Sequence, residues 1–327
     1  MNQRKPVIHI GMPKTATKTF QQRLFSKHSE VFYLGFFFGA EIKESRSVDF
    51  IRKVEAVMEQ IAYEHIRQPD YALCDRLIKE VLDEPGAHGK VPVWSWEACS
   101  TDKLNSRRAR ATNLKRVFAD AKILMALRSP LSLLEASYFQ QLRRENTRPK
   151  RRFGHGPYYM GIDEWLDQYF RKTDLPHIRY GDTIRAYMDA FGKESLNLFL
   201  FEELVADEEA FIRRVCHRME IDADEGVRLS IGERDNERWT TAQIEILKRV
   251  KGSLWESLRY RMMSREGRMK LFQWDSNSEN KEYGDRARAE ISKEWQKRIF
   301  EVAREGNRWV EDEFGVPLTK YGYFGRD

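Results

Sequence analysis

The sequence predicts an α/β protein, a parallel sheet flanked by helices with extensive helical additions, and three observations carry that prediction. Short apolar runs within "VIHI", "KVPVWSWE", "AKILMALRSP" and "ESLNLFLFEEL" alternate with stretches whose apolar residues recur three and four apart. That alternation is the pattern of strands buried on both faces and separated by helices. The first run ends in Gly11, Pro13 and a turn rich in lysine and threonine, as where a strand hands over to a helix. No internal repeat or low-complexity tract interrupts the order, so residues 1–327 read as a single domain.

Each element follows from local pattern. Val7–Ile10 suit a buried strand and residues 14–28 the helix after it. "SVDFIRKVEAVMEQIAYEHI" is an amphipathic helix. The turn-forming "EPGAHG" leads into the β-rich "KVPVWSWE". A basic helix over 103–119 precedes "AKILMALRSP", a strand that ends at Arg128 and is stopped by Pro130. "LSLLEASYFQQLRR" is helical and "ESLNLFLFEEL" is a further buried strand. Residues 208–220 and 240–262 are helical, and a final helix covers 285–314.

Composition limits the function classes. Of 327 residues, 41% are hydrophobic and 33% charged, the balance of a globular chain with a solvated surface. The N-terminus carries no apolar stretch of signal-peptide length, and "VFYLGFFFGA" is too short to span a bilayer. The expected location is the cytoplasm. Cys74, Cys99 and Cys216 are odd in number and irregularly spaced, which indicates reduced core thiols rather than a disulfide framework or a zinc cage. The net charge of +6 and pI near 9.0 point to an anionic partner.

The turn after the first strand is a candidate anion cradle. A Walker loop would place a second glycine, lysine and a hydroxyl residue at fixed spacing after Gly11; here those places hold Ala16 and Thr17, Lys18-Thr19 come one residue late, and Lys14 lies inside the loop. A loop between strand and helix still offers unpaired N–H groups and a positive dipole end to a phosphate. In parallel sheets ligands sit at the C-terminal strand ends. Three such ends carry reactive residues: Gly11 to Thr19, Ser95-Trp96-Glu97, and Arg128-Ser129.

These residues resemble the sulfotransferases that use 3'-phosphoadenosine 5'-phosphosulfate (PAPS). Their loop runs approximately Pro-Lys-Ser/Thr-Gly-Thr-Thr, matched here at Pro13, Lys14, Thr15 and Thr17. Their second signature is a strand ending in arginine, with proline two residues on and a helix carrying serine and tyrosine eight and ten residues after it. Arg128, Pro130 and Tyr138 fit it. The similarity extends through "FGKESLNLFLFEELVADEEAFIRRVCHRM" and more weakly to the C-terminal "YGY". Two places depart. Ala16 replaces the loop glycine, and alanine suits a loop with φ below zero; Ala136 takes the serine place, leaving Ser137 about 100° round the helix.

The resemblance implies a P-loop-like fold and a PAPS-binding set of Lys14, Thr15, Ala16, Thr17, Lys18, Thr19, Arg128 and Ser137. Lys14 would neutralise charge on the oxygen bridging phosphorus and sulfur. Thr17 and Thr19 would donate hydroxyls to the 5'-phosphate, Lys18 would add charge, and Arg128 would bind the 3'-phosphate. Lysine and arginine supply the neutralisation, so no metal is expected, and no carboxylate cluster at ligand spacing is visible. Glu97 is the candidate general base, suited to the task by partial burial against Trp94 or Trp96; Glu41 and His28 are the alternatives.

The run 143–152 holds six basic residues and one acidic. With the Gly and Pro of "FGHGPYY" it makes residues 143–157 a candidate lid or acceptor region. It lacks interleaved aromatics, so nucleic acid is not the expected partner. The expected activity is sulfuryl transfer from PAPS to a hydroxyl acceptor, a carbohydrate or glycolipid. The rivals are a P-loop nucleotide kinase or other phosphotransferase, and a non-catalytic basic binding protein.

Overall fold

The computed structural model describes residues 4–35, 46–62, 68–101, 104–147, 157–173, 175–232, 239–271 and 286–325. The chain divides into two compact units, residues 1–130 with 173–235 and 299–327, and residues 131–172 with 236–298.

The first unit holds one five-stranded sheet: β1 (Val7–His9), β2 (Val31–Gly35), β3 (Val91–Ser95), β4 (Lys122–Leu127) and β5 (Leu196–Leu200). Its order is β2-β3-β1-β4-β5 and every pairing is parallel. All residues of β1, β2 and β3 are buried, as expected for a sheet covered on both faces. Strand β1 lies between β3 and β4, while the chain leaves β1 for β2 at one edge. The order therefore reverses at β1, and the C-terminal end of β1 is where such a sheet opens a crevice. One face packs Phe20, Leu24 and Phe25 against Val93, Leu124 and Ile212.

Local chemistry moved several boundaries. The helix expected from residue 14 starts at Thr17, because Lys14 and Ala16 hold left-handed conformations with φ of 68° and 66°. From Phe20 to Phe25 it is π-helical. The apolar run that contains β2 is a strand over Val31–Gly35, and Tyr71–Leu82 is a helix that periodicity left out, its first turn capped by Asp70, which accepts from the Leu73 N–H at 2.9 Å. The three cysteines are buried free thiols, and burial pushes those of Cys99 and Cys216 up to about 12.

In the second unit the helix expected over 240–262 is two helices, Thr241–Gly252 and Leu254–Met262. Ser253 between them is extended, and its side chain caps the second by accepting from the Glu256 N–H. The last helix begins at Lys293 rather than 285, because Arg286 is held in a β-bridge with Thr240 and Ser292 caps the start. The first residues of the basic run belong to the helix Pro130–Thr147. Asn146 near its end donates to the Tyr158 carbonyl and accepts from the Tyr158 N–H and the Tyr260 hydroxyl. Residues 148–156 of the candidate lid lie outside the described residues. No helix among the described residues is long and apolar enough to cross a membrane.

Candidate active site

Three strand ends meet at the C-terminal end of β1. Beyond His9 the chain keeps its pairing, with Ile10 donating to Leu124 and Met12 to Ala126 at 3.0 and 2.9 Å. Gly11 then turns with φ +95°, and a Cβ there would lie 3.1 Å from Ser100 Oγ and 3.4 Å from Glu97 Cα. Glycine thus serves both the turn and the close approach of the segment after β3.

The loop from Pro13 to Ala16 is built around one carbonyl. Thr15 and Thr17 both donate their hydroxyls to the Met12 carbonyl, Thr17 at 3.3 Å. Both side chains are buried. Thr17, whose hydroxyl is expected to serve the 5'-phosphate, here donates to the loop itself. Left-handed residues alternating with ordinary ones make a concave array of N–H groups, and the N–H groups of the helix's first turn have no intrahelical acceptor. Ala16, which put a positive φ in doubt, nevertheless holds a φ of 66°. The packed loop imposes this on a residue without glycine's freedom, at a cost of roughly 1–2 kcal/mol. Lys18 is exposed, and Lys14 and Thr19 are half-buried.

Arg128 reaches the same loop from the end of β4. Its Nη1 donates to the Lys14 carbonyl at 2.9 Å, and its guanidinium lies 4.4 Å above the Phe201 ring. Its own backbone is gripped: Tyr180 donates its hydroxyl to the Arg128 carbonyl, while the Ser129 N–H donates to Glu202 Oε1 at 2.8 Å. Glu202 Oε2 accepts the Tyr323 hydroxyl at 3.0 Å. Strand β5, which ends at Glu202's turn, and the C-terminal "YGY" thus both support the arginine.

Glu97 follows β3. Its carbonyl accepts from the Ser100 N–H and hydroxyl at 3.0 and 2.9 Å, which fixes the backbone at the start of the helix Ala98–Thr101. The carboxylate is half-buried and makes no hydrogen bond or ion pair among the described residues. Trp94 is buried, with its ring 6.3 Å from Trp96. Arg110 lies 4.9 Å above Trp96 and donates to the carbonyls of Ala62 and Ala98.

His28, an alternative base, is held by hydrogen bonds within the fold. It is buried, its Nε2 donates to the Asp222 carbonyl at 2.9 Å, and its Nδ1 accepts from the Glu30 N–H at 3.2 Å. Both nitrogens are committed to structure. Glu41 lies outside the described residues. Ser137 belongs to the second unit, and its hydroxyl donates to the Leu133 carbonyl of its own helix at 2.9 Å.

Behind the loop lies a polar group that pattern reading passed over. His9 is buried, shares a 2.8 Å hydrogen bond with Ser95 Oγ, and packs against the rings of Phe20 and Phe25. Gln21 from the π-helical stretch donates to the same hydroxyl at 2.9 Å. Burial pushes the imidazole down to about 3, and His9 Nε2 has no partner among the described residues. The signal was a lone imidazole inside an apolar strand.

A parallel sheet with the Lys14–Thr19 loop at its switch point and, at the end of the neighbouring strand, an arginine bonded to that loop is an α/β architecture of P-loop-like type. The sequence model of the sulfotransferase family matches residues 6–225, and the chain belongs to that family. No curated protein matches it by sequence. Solved structures similar to it include the sulfotransferase from Alicyclobacillus acidocaldarius, with 19% identity and a TM-score of 0.44 over 78% of this chain and 94% of that one. Sulfotransferase STF9 from Mycobacterium avium has 14% identity and a TM-score of 0.40 over 84% and 76%. The sulfotransferase domain from the Synechococcus PCC 7002 olefin synthase has 13% identity and a TM-score of 0.38 over 84% and 95%.

Proposed function

We propose that the protein transfers a sulfuryl group from PAPS to a hydroxyl on a carbohydrate or glycolipid. The observation that carries this reading is the clustering of the Lys14–Thr19 loop, an arginine bonded to that loop, and the backbone of Glu97, which lies beside Gly11. PAPS supplies a sulfuryl group activated by a phosphate leaving group. The loop N–H groups, Lys14 and Lys18 hold the 5'-phosphate, and Lys14 neutralises charge on the departing oxygen. Arg128, which is bonded to the loop through the Lys14 carbonyl, binds the 3'-phosphate. Glu97 takes the acceptor's proton as attack proceeds. The net charge of +6 supports an acceptor with anionic character, and three buried free thiols are consistent with a reducing compartment such as the cytoplasm.

Ligand-dependent unfolding tests the donor. Adenosine 3',5'-bisphosphate without metal is expected to stabilise the protein by about 2.7 kcal/mol at 100 times its Kd, with a much smaller effect from ATP and Mg²⁺. Arg128→Ala should weaken the bisphosphate and spare adenosine 5'-phosphosulfate. An equal or larger shift with Mg-ATP would instead establish the phosphotransferase reading.

A further inference from the structure

The helix Leu254–Met262 in the second unit turns an apolar stripe to solvent. Leu254 is 91% exposed, Trp255 83%, Met262 71% and Leu258 49%, while Tyr260 on the opposite side is 1% exposed and anchors the helix. At 100° per residue these four side chains span about 100° of arc, and Arg261 and Arg259 stand just beyond its two edges. Both arginines are exposed and make no ion pair among the described residues. A stripe with a nearly bare tryptophan and leucine is not the ordinary scatter of surface apolar groups.

Charge selects the occupant. Residues 241–271 carry eight basic and three acidic side chains, so the stripe sits in a positive field. An arginine on each flank of an outward apolar stripe is the arrangement of a helix lying in a bilayer interface, with apolar side chains below the headgroups and guanidinium groups among phosphates. A second copy of this chain would bring like charges together at both edges of a self-complementary contact. We propose that this face docks the protein onto an anionic lipid bilayer. The proposal rests on the second unit alone and holds whatever the chain transfers.

Flotation of the full chain with vesicles of phosphatidylcholine, with and without phosphatidylglycerol, tests it. The protein is expected to float with phosphatidylglycerol vesicles only, and less as salt is raised. The double variant Leu254→Ser/Trp255→Ser and the double variant Arg259→Glu/Arg261→Glu should each reduce partitioning at least about tenfold, with far-UV circular dichroism unchanged because all four side chains face solvent. The arginine pair leaves the apolar stripe intact and so decides the matter if the first variant folds poorly. Absence of flotation with phosphatidylglycerol, or flotation indifferent to both variants, overturns the proposal. A dimer in sedimentation velocity that Leu254→Ser/Trp255→Ser disperses, without vesicle binding, overturns it in favour of a contact between copies.

Discussion

At the scale of single residues the loop depends on two side chains in a conformation that favours glycine. Ala16 at φ 66° forgoes roughly 1–2 kcal/mol relative to an ordinary backbone, and glycine there would lose some of that gain to greater freedom of the unfolded chain. Ala16→Gly is therefore expected to raise unfolding stability by about 0.5–1 kcal/mol, read from urea melts. An unchanged or lower midpoint would mean that the loop does not hold this conformation in solution. As the proposed base, Glu97 is expected to separate binding from chemistry. Glu97→Gln keeps the shape but cannot accept a proton, so bisphosphate affinity should stay near wild type while turnover falls about 10²- to 10⁴-fold. Lys14→Ala should lose both. The assay first screens sugars, glycolipids and phenols as acceptors for labelled PAPS; near-normal turnover in Glu97→Gln would remove that carboxylate from the mechanism.

Between elements, two helices, Tyr180–Phe191 and Lys293–Phe314, cross at paired glycines. A Cβ on Gly181 would meet Gly306 Cα at 2.8 Å and its carbonyl oxygen at 3.1 Å, whereas a Cβ on Gly306 would meet Gly181 N at 3.3 Å. The obstacles are backbone atoms, which no rotamer change can move aside. Gly181→Ala should therefore destabilise by about 1–3 kcal/mol despite alanine's better helix propensity, and Gly306→Ala by less. A reversed order in thermal melts would show that the helices are further apart. The crossing bears on the site because Tyr180, next to Gly181, holds the Arg128 carbonyl. A shift of this helix should therefore also weaken binding of the 3'-phosphate.

At the scale of the whole molecule, buried His9 ties stability to pH. Its folded value of about 3 lies below the ordinary 6.5, so the unfolded chain takes up a proton that the native chain refuses. The contribution is complete above pH 6.5 and is lost as pH falls from 6.5 toward 3, at about 1.4 kcal/mol per unit. Between pH 6.5 and 5, before most carboxylates titrate, His9→Asn should flatten the stability profile by one proton. An unchanged slope would place His9 in contact with water.

What sequence alone determined here were properties carried by local pattern. Apolar runs separated by helical periodicity specify a parallel sheet without knowledge of strand order, and a strand, a glycine and a lysine-rich turn mark the loop after β1. Arg128 was legible because Pro130 ends its strand. The strand order, which brings the ends of β1, β3 and β4 together, was decided by packing between residues far apart in the chain. So was the left-handed φ at Ala16, which local propensity argues against and the loop's bonds to the Met12 carbonyl support. The tertiary structure likewise placed the Asp222 carbonyl on Nε2 of His28. Periodicity also joined residues 240–262 into one helix, because a serine that caps and a serine that continues a helix look alike until the neighbouring turns are packed.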